Sequence, residues 1–146
     1  FDFSNENKNN FKPVIARNNP EKIISACHNR LIQFKNIVET YNTKFIGGFQ
    51  SWIYSKEDKS KKELESIKNY YRYNQNIYLN IFDLCERYSE KYLKKEDSKF
   101  IVNIHDKFKT LKNDVSHFGD VVHTLEPGDE EISKIYYEKI LESYEI

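Results

Sequence analysis

The sequence predicts an all-α fold: an up-down antiparallel helical bundle of three long helices plus a shorter fourth, open to kinks at its glycines. Two observations carry that prediction. Apolar residues recur at alternating steps of three and four in three separate stretches, and short charged breaks divide those stretches. A 3-4 repeat averages 3.5 residues and keeps one narrow helical stripe turned toward a partner helix. Short connections between long helices then force antiparallel neighbours. An extended coiled coil assembled from several chains is the main competitor, and the sharp breaks favour one chain folding on itself into a four-helix bundle.

Residues 1–19 lack periodicity and are rich in Asn, which reads as a polar tail or linker; residues 20–146 read as a single helical-bundle domain. Asn19, Pro20 and Glu21 combine a capping amide, a proline at the first helical position and an acid at the positive dipole end. The first helix should therefore start there and carry Ile24, Cys27, Leu31, Phe34, Val38, Tyr41 and Phe45. Gly47-Gly48 should end or kink it, since each glycine costs roughly 1 kcal/mol inside a helix. Ser60 and Glu63 are spaced as a capping box. They open a second helix, with Leu64, Ile67, Tyr71, Asn74, Tyr78, Ile81, Cys85, Tyr88 and Tyr92 on its stripe, extending to about Leu93. Asp97 or Ser98 can cap a third helix bearing Ile101, Ile104, Phe108, Leu111, Val115, Phe118, Val122 and Leu125. Glu126-Pro127-Gly128 should stop that helix, and Asp129 should begin the short fourth with Ile132, Ile135, Tyr136 and Ile140.

Acidic and basic residues balance at 23 each, so no net field steers the chain toward nucleic acid, and none is expected as a partner. No apolar run is long enough to span a bilayer. The absence of Met and the opening Phe1 point to a processed or trimmed piece of a longer product. Frequent Lys, Asn, Ile and Tyr are the codon footprint of an AT-rich genome, as in some parasites, slime moulds, yeasts and bacteria; with a parasite source and oxidised cysteines, a secreted or extracytoplasmic setting is the natural version. Eleven Tyr and ten Phe compensate for a modest apolar content, and Tyr suits half-buried seams and interfaces.

Cys27 and Cys85 lie at equal distance from a turn near residue 56, each on its helix's stripe. A disulfide between them would close a loop of about 58 residues and contribute roughly 4 kcal/mol; two buried thiols are the alternative. His28 and His105 fall near the same level, but the spacing matches no zinc signature, so no metal site is assigned. His117 and His123 point to different sides of a regular helix and lack a nucleophile between them. No glycine-rich phosphate loop is present. The chain therefore reads as no enzyme, with no catalytic residue and no cofactor.

Asn74 reads as a register-setting polar residue on the second stripe. The second helix carries more apolar surface than one seam needs, through Tyr70, Tyr73 and Ile77. Phe49, Trp52, Ile53 and Tyr54 cluster at the end of the first hairpin. They read first as a cap on the bundle and second as a surface for a protein partner or, with Lys56, Lys59, Lys61 and Lys62 beside them, a membrane. The expected function is a non-enzymatic module that binds another protein or packs into an assembly, such as a secreted parasite protein engaging host cells. The alternatives are a ligand-sensing extracytoplasmic receptor domain with a polar pocket between helices, and a small membrane-active bundle.

Overall fold

The computed structural model of the chain describes residues 19–144, and within that span the side chains of 71–80 are not described. The expected tail, apart from Asn19, and the side chains of Asn74, Tyr73 and Ile77 thus lie outside the described residues. Two of the expected helix starts are present. Helix α1 (Pro20–Glu39) is capped by the Asn19 side chain, which accepts the Glu21 amide at 3.0 Å. It stops at Thr40, six residues short of Gly47, and Asn42 turns the chain in a left-handed conformation.

Gly47 and Gly48 neither kink a helix nor lie idle in a turn. They form a short strand β1 (Gly47–Phe49) that pairs in parallel with β2 (Ile101–Asn103), Gly47 opposite Ile101 and Phe49 opposite Asn103. A side chain at Gly48 would run into the Tyr136 hydroxyl and displace that ring of the C-terminal helix. Helix α2 (Lys61–Tyr88) crosses between the two strands, as a parallel pair requires of its connection. Its capping box is complete: Ser60 Oγ accepts the Glu63 amide and the Glu63 carboxylate accepts the Ser60 amide. One π turn (Ser89–Leu93) and one 3-10 turn (Glu96–Ser98) lead into β2.

The third long helix does not exist. Its stretch divides into β2, the short helix α3 (Ile104–Lys109) and an irregular run from 110 to 125. Asn113, Asp114, Ser116, Gly119 and Asp120 prefer turns, and Val121-Val122 lose rotamer freedom in a helix. Asp120 shows the competition directly, because its Oδ1 accepts the amides of Val122 and His123 at 2.8 Å each. The run instead folds into a loop in which Leu125 N bonds His117 O and Phe118 bridges Thr124. Helix α4 (Glu126–Tyr144) begins three residues earlier than expected, taking Pro127 and Gly128 into its first turn. The expected all-α bundle of three long helices, and with it the four-helix-bundle and coiled-coil readings, is thereby overturned.

The main core holds Trp52, Ile53, Val102, Ile104, Phe108, Phe118 and Val121, covered by Ile67, Ile81, Phe82, Ile132, Ile135 and Tyr136. A second, smaller core joins Ile24 on α1 to Tyr88 and Tyr92. Apolar burial thus concentrates around the strand pair rather than along helix seams.

Candidate functional site

The residues expected to offer an interaction surface are largely spent on the core. Trp52 and Ile53 are buried, Phe49 and Tyr54 half-buried, and of that set only Tyr70 is described as exposed. Lys56, the first of the lysines placed beside a membrane, has no exposed surface at all. Among the described residues no helix is long and apolar enough to cross a bilayer.

Cys27 and Cys85 are free thiols. Both line one open apolar cleft of about 240 Å³ between α1 and α2, with Ile24, Leu31, Phe49 and Tyr88 among its walls. Burial, aided by Glu86, pushes the Cys85 thiol up to about 11, and burial takes the Tyr88 phenol to about 12. Cys85 therefore stays protonated and is a poor nucleophile. His28 does not join the thiols. Its Nδ1 meets the Tyr88 hydroxyl at 3.2 Å and its ring packs on Tyr92.

Two polar networks lie beneath the surface. In the first, Lys56 Nζ donates to Glu63 Oε2 at 3.0 Å, His117 Nδ1 at 3.0 Å and Val115 O at 3.3 Å, so all three ammonium hydrogens are used. Glu63 in turn accepts the His117 and Phe118 amides on Oε1 at 2.8 and 3.2 Å, and the Ser60 amide on Oε2 at 2.7 Å. The same carboxylate that completes a helix cap thus anchors the irregular run. Burial alone would raise its pKa, but the Ser60 amide, the Lys56 ammonium and the His117 amide together hold it below the ordinary 4.5. Burial and then the Lys56 charge push His117 below 6.5, so Nδ1 accepts and the proton sits on Nε2.

The second network runs through His105, which is also fully buried. Ser55 Oγ lies 2.7 Å from Nδ1, and Nε2 lies 2.7 Å from Glu86 Oε1. Lys109 bridges Glu86 Oε2 and Asp106 Oδ1 at 2.8 Å each, while Ser89 and Asn103 donate to Asp106 Oδ2. A serine, a histidine and a glutamate in line invite a catalytic reading. Geometry rejects it: Ser55 and His105 are sealed from solvent, and Ser55 Oγ already accepts the Trp52 amide. No substrate carbonyl can reach that oxygen. The chain Trp52 N–H, Ser55 O–H, His105, Glu86 is a hydrogen-bond relay that ties the 52–55 turn to α3 and α2.

Among the described residues, large apolar side chains are left to solvent elsewhere. Toward the end of α1 and just beyond it, Phe34 and Tyr41 of the predicted stripe and the neighbouring Ile37 are 53%, 80% and 60% exposed, whereas Val38 is half-buried. Helix α4 is apolar on two faces. Ile132, Ile135 and Tyr136 pack inward, whereas Tyr137, Ile140 and Tyr144 point out at helical spacing. The loop between α1 and β1 joins the two stripes: Phe45 packs on Phe34, and the Lys44 ammonium sits 4.5 Å over the Tyr144 ring and bonds the Ser143 carbonyl.

His123 is exposed and paired with Asp120, whereas His117 is buried, and neither stands on a helix. Sequence reasoning missed Ser55 and Glu86, whose partners His105 and Lys109 are far away in the chain, missed Asp106 although Asn103 and Lys109 are only three residues off, and read Lys56 as a surface lysine. Glu63 was found, but only as a cap. Compared with protein-family models, curated proteins and solved structures, the chain has no match.

Proposed function

We propose that this chain is a non-enzymatic interaction module that binds another protein through Phe34 and Ile37 of α1, Tyr41 just past its end, and the Tyr137–Ile140–Tyr144 stripe of α4. One observation carries the reading: α1 and α4 each leave apolar residues exposed at helical spacing, and the loop after α1 reaches both, with Phe45 packed on Phe34 and Lys44 over Tyr144. Solvent-facing apolar residues are ordinary singly, but a continuous patch rich in aromatic residues marks a contact surface. Tyr and Phe supply large contact area at low entropic cost, as binding hot spots do.

The test is capture of partners from native extract with the purified domain, beside a Phe34→Ser/Ile37→Ser/Tyr41→Ser variant of unchanged circular dichroism. Partners retained by the parent and lost by the variant support the surface. Equal capture by both sinks it. The cleft at Cys27 and Cys85 supports a second reading, sensing of a small ligand. Its walls are apolar rather than polar, so that ligand would be a hydrophobic one and would be displaced by a bulky substitution such as Leu84→Trp.

A further inference from the structure

We propose that Glu86, His105 and Asp106 form a binding site for a divalent cation of the zinc class, held at rest by the Lys109 ammonium as an exchangeable cation. The three residues each turn one donor atom to a common point, all within 4.8 Å of one another. Tetrahedral zinc with bonds of roughly 2.0–2.2 Å needs donors about 3.4 Å apart. The Glu86 oxygen, 2.7 Å from His105 Nε2 at rest, therefore draws back while the wider separations close. Both adjustments are within the reach of the two carboxylate side chains.

His105 is the donor that sets this cluster apart from an ordinary patch of surface acids. Its side chain is fully buried, and its ring meets Ser55 on one nitrogen and the Glu86 carboxylate on the other. A hydroxyl accepts as readily as it donates. The imidazole can therefore carry its proton on Nδ1 toward Ser55, leaving Nε2 bare for a metal without moving the ring. Asp106 is held in the same manner: Ser89 at 2.6 Å and Asn103 at 2.7 Å occupy Oδ2 and leave Oδ1 facing the cluster. Such outer hydrogen bonds orient metal ligands and are part of a built site.

Charge points the same way. Two carboxylates face one lysine, so the cluster carries a net negative charge that a divalent ion satisfies better than an ammonium does. Lys109 is about a quarter exposed, and its flexible stem can swing to water when a metal enters by the open side past Glu86 and Asp106. The lysine thus competes with the metal for the same oxygens.

That competition makes a distinctive prediction. In titrations of the whole chain with zinc chloride by calorimetry, the parent binds one equivalent, Lys109→Gln binds at least tenfold more tightly, and Glu86→Gln and Asp106→Asn bind at least tenfold more weakly. Each is run in a Cys27→Ser/Cys85→Ser background so that thiols contribute nothing, with circular dichroism as the folding check. Long-range proton–nitrogen NMR adds a residue-specific readout, because zinc shifts the His105 Nε2 resonance. Absence of binding by both the parent and Lys109→Gln overturns the proposal. So does unchanged affinity in Lys109→Gln, or an unmoved His105 resonance at saturation. This site is separate from the exposed stripes of α1 and α4, so its failure leaves the protein-binding reading intact.

Discussion

The two buried networks use the same three kinds of side chain and come to opposite ends. Around Lys56 the lysine, the glutamate and the histidine are all closed from solvent, and every donor of the ammonium is matched. Around Lys109 the histidine is equally buried, but the lysine and both carboxylates keep a quarter to a third of their side-chain surface. Sealing decides the difference. A closed ion pair cannot exchange its cation and serves the fold, because removing one member strands a charge in a medium that cannot solvate it. An open pair is weaker and replaceable, and a site that must accept something from solvent can be built only there.

Glu63→Gln is the strongest way to break this comparison. It leaves Lys56 without its counter-charge and takes away a charged acceptor from the amides of Ser60, His117 and Phe118, so unfolding by urea should lose about 3–5 kcal/mol. A loss below about 1 kcal/mol would mean that the network is not closed in solution. Acid should act next. His117 and His28 both have pKa values lowered from 6.5, mainly by burial. The unfolded chain then binds more protons than the folded one below about pH 6.5, so stability is full above that pH and falls as the pH drops toward the folded values. Glu63, Glu86 and Asp106 are depressed carboxylates, and their contribution is lost only at lower pH, below 4.5, 4.5 and 3.8 respectively. His117→Gln, an uncharged hydrogen-bonding replacement, should flatten the slope between pH 7 and 5, leaving the part due to His28; an unchanged slope would show that His117 is not protected.

Glu86→Gln should cost less than its counterpart, about 1–2 kcal/mol, because water can solvate the lysine it releases. Equal losses for the two glutamine variants would erase the distinction between sealed and open. Smallest of all, Tyr41→Ser and Tyr137→Ser lie outside both networks and should move stability by no more than about 0.5 kcal/mol, while still weakening partner capture. Destabilisation beyond that would make these tyrosines part of the fold rather than of a surface.

Local chemistry was legible wherever its cause lay within one helical turn. Asn19 caps its helix through the amide two residues on, and Ser60 and Glu63 satisfy each other across three residues. The 3-4 rows of the first two helices were also real, but a row states only that a face is apolar. Ile24 on α1 found a covered seat, whereas Phe34 and Tyr41 on the same row did not. On the third row the period was coincidental: Ile101, Ile104, Phe108 and Phe118 are buried from a strand, a short helix and a loop. Apolar spacing there competed with turn-forming Asp, Ser and Gly, and the turn formers prevailed.

The sequence by itself determined where α1 and α2 begin and that no helix among the described residues is long and apolar enough to cross a membrane. These depend on neighbours a few residues apart, whose interactions form in any compact state. Only the tertiary structure decided that Gly47 and Gly48 pair with Ile101 and Val102, that Trp52 and Lys56 go inside, and that Glu63 reaches His117 more than fifty residues away. Each of those needs a second segment to arrive at the right place. A carboxylate can accept four hydrogen bonds, but nothing in its local sequence says which donors will fill them.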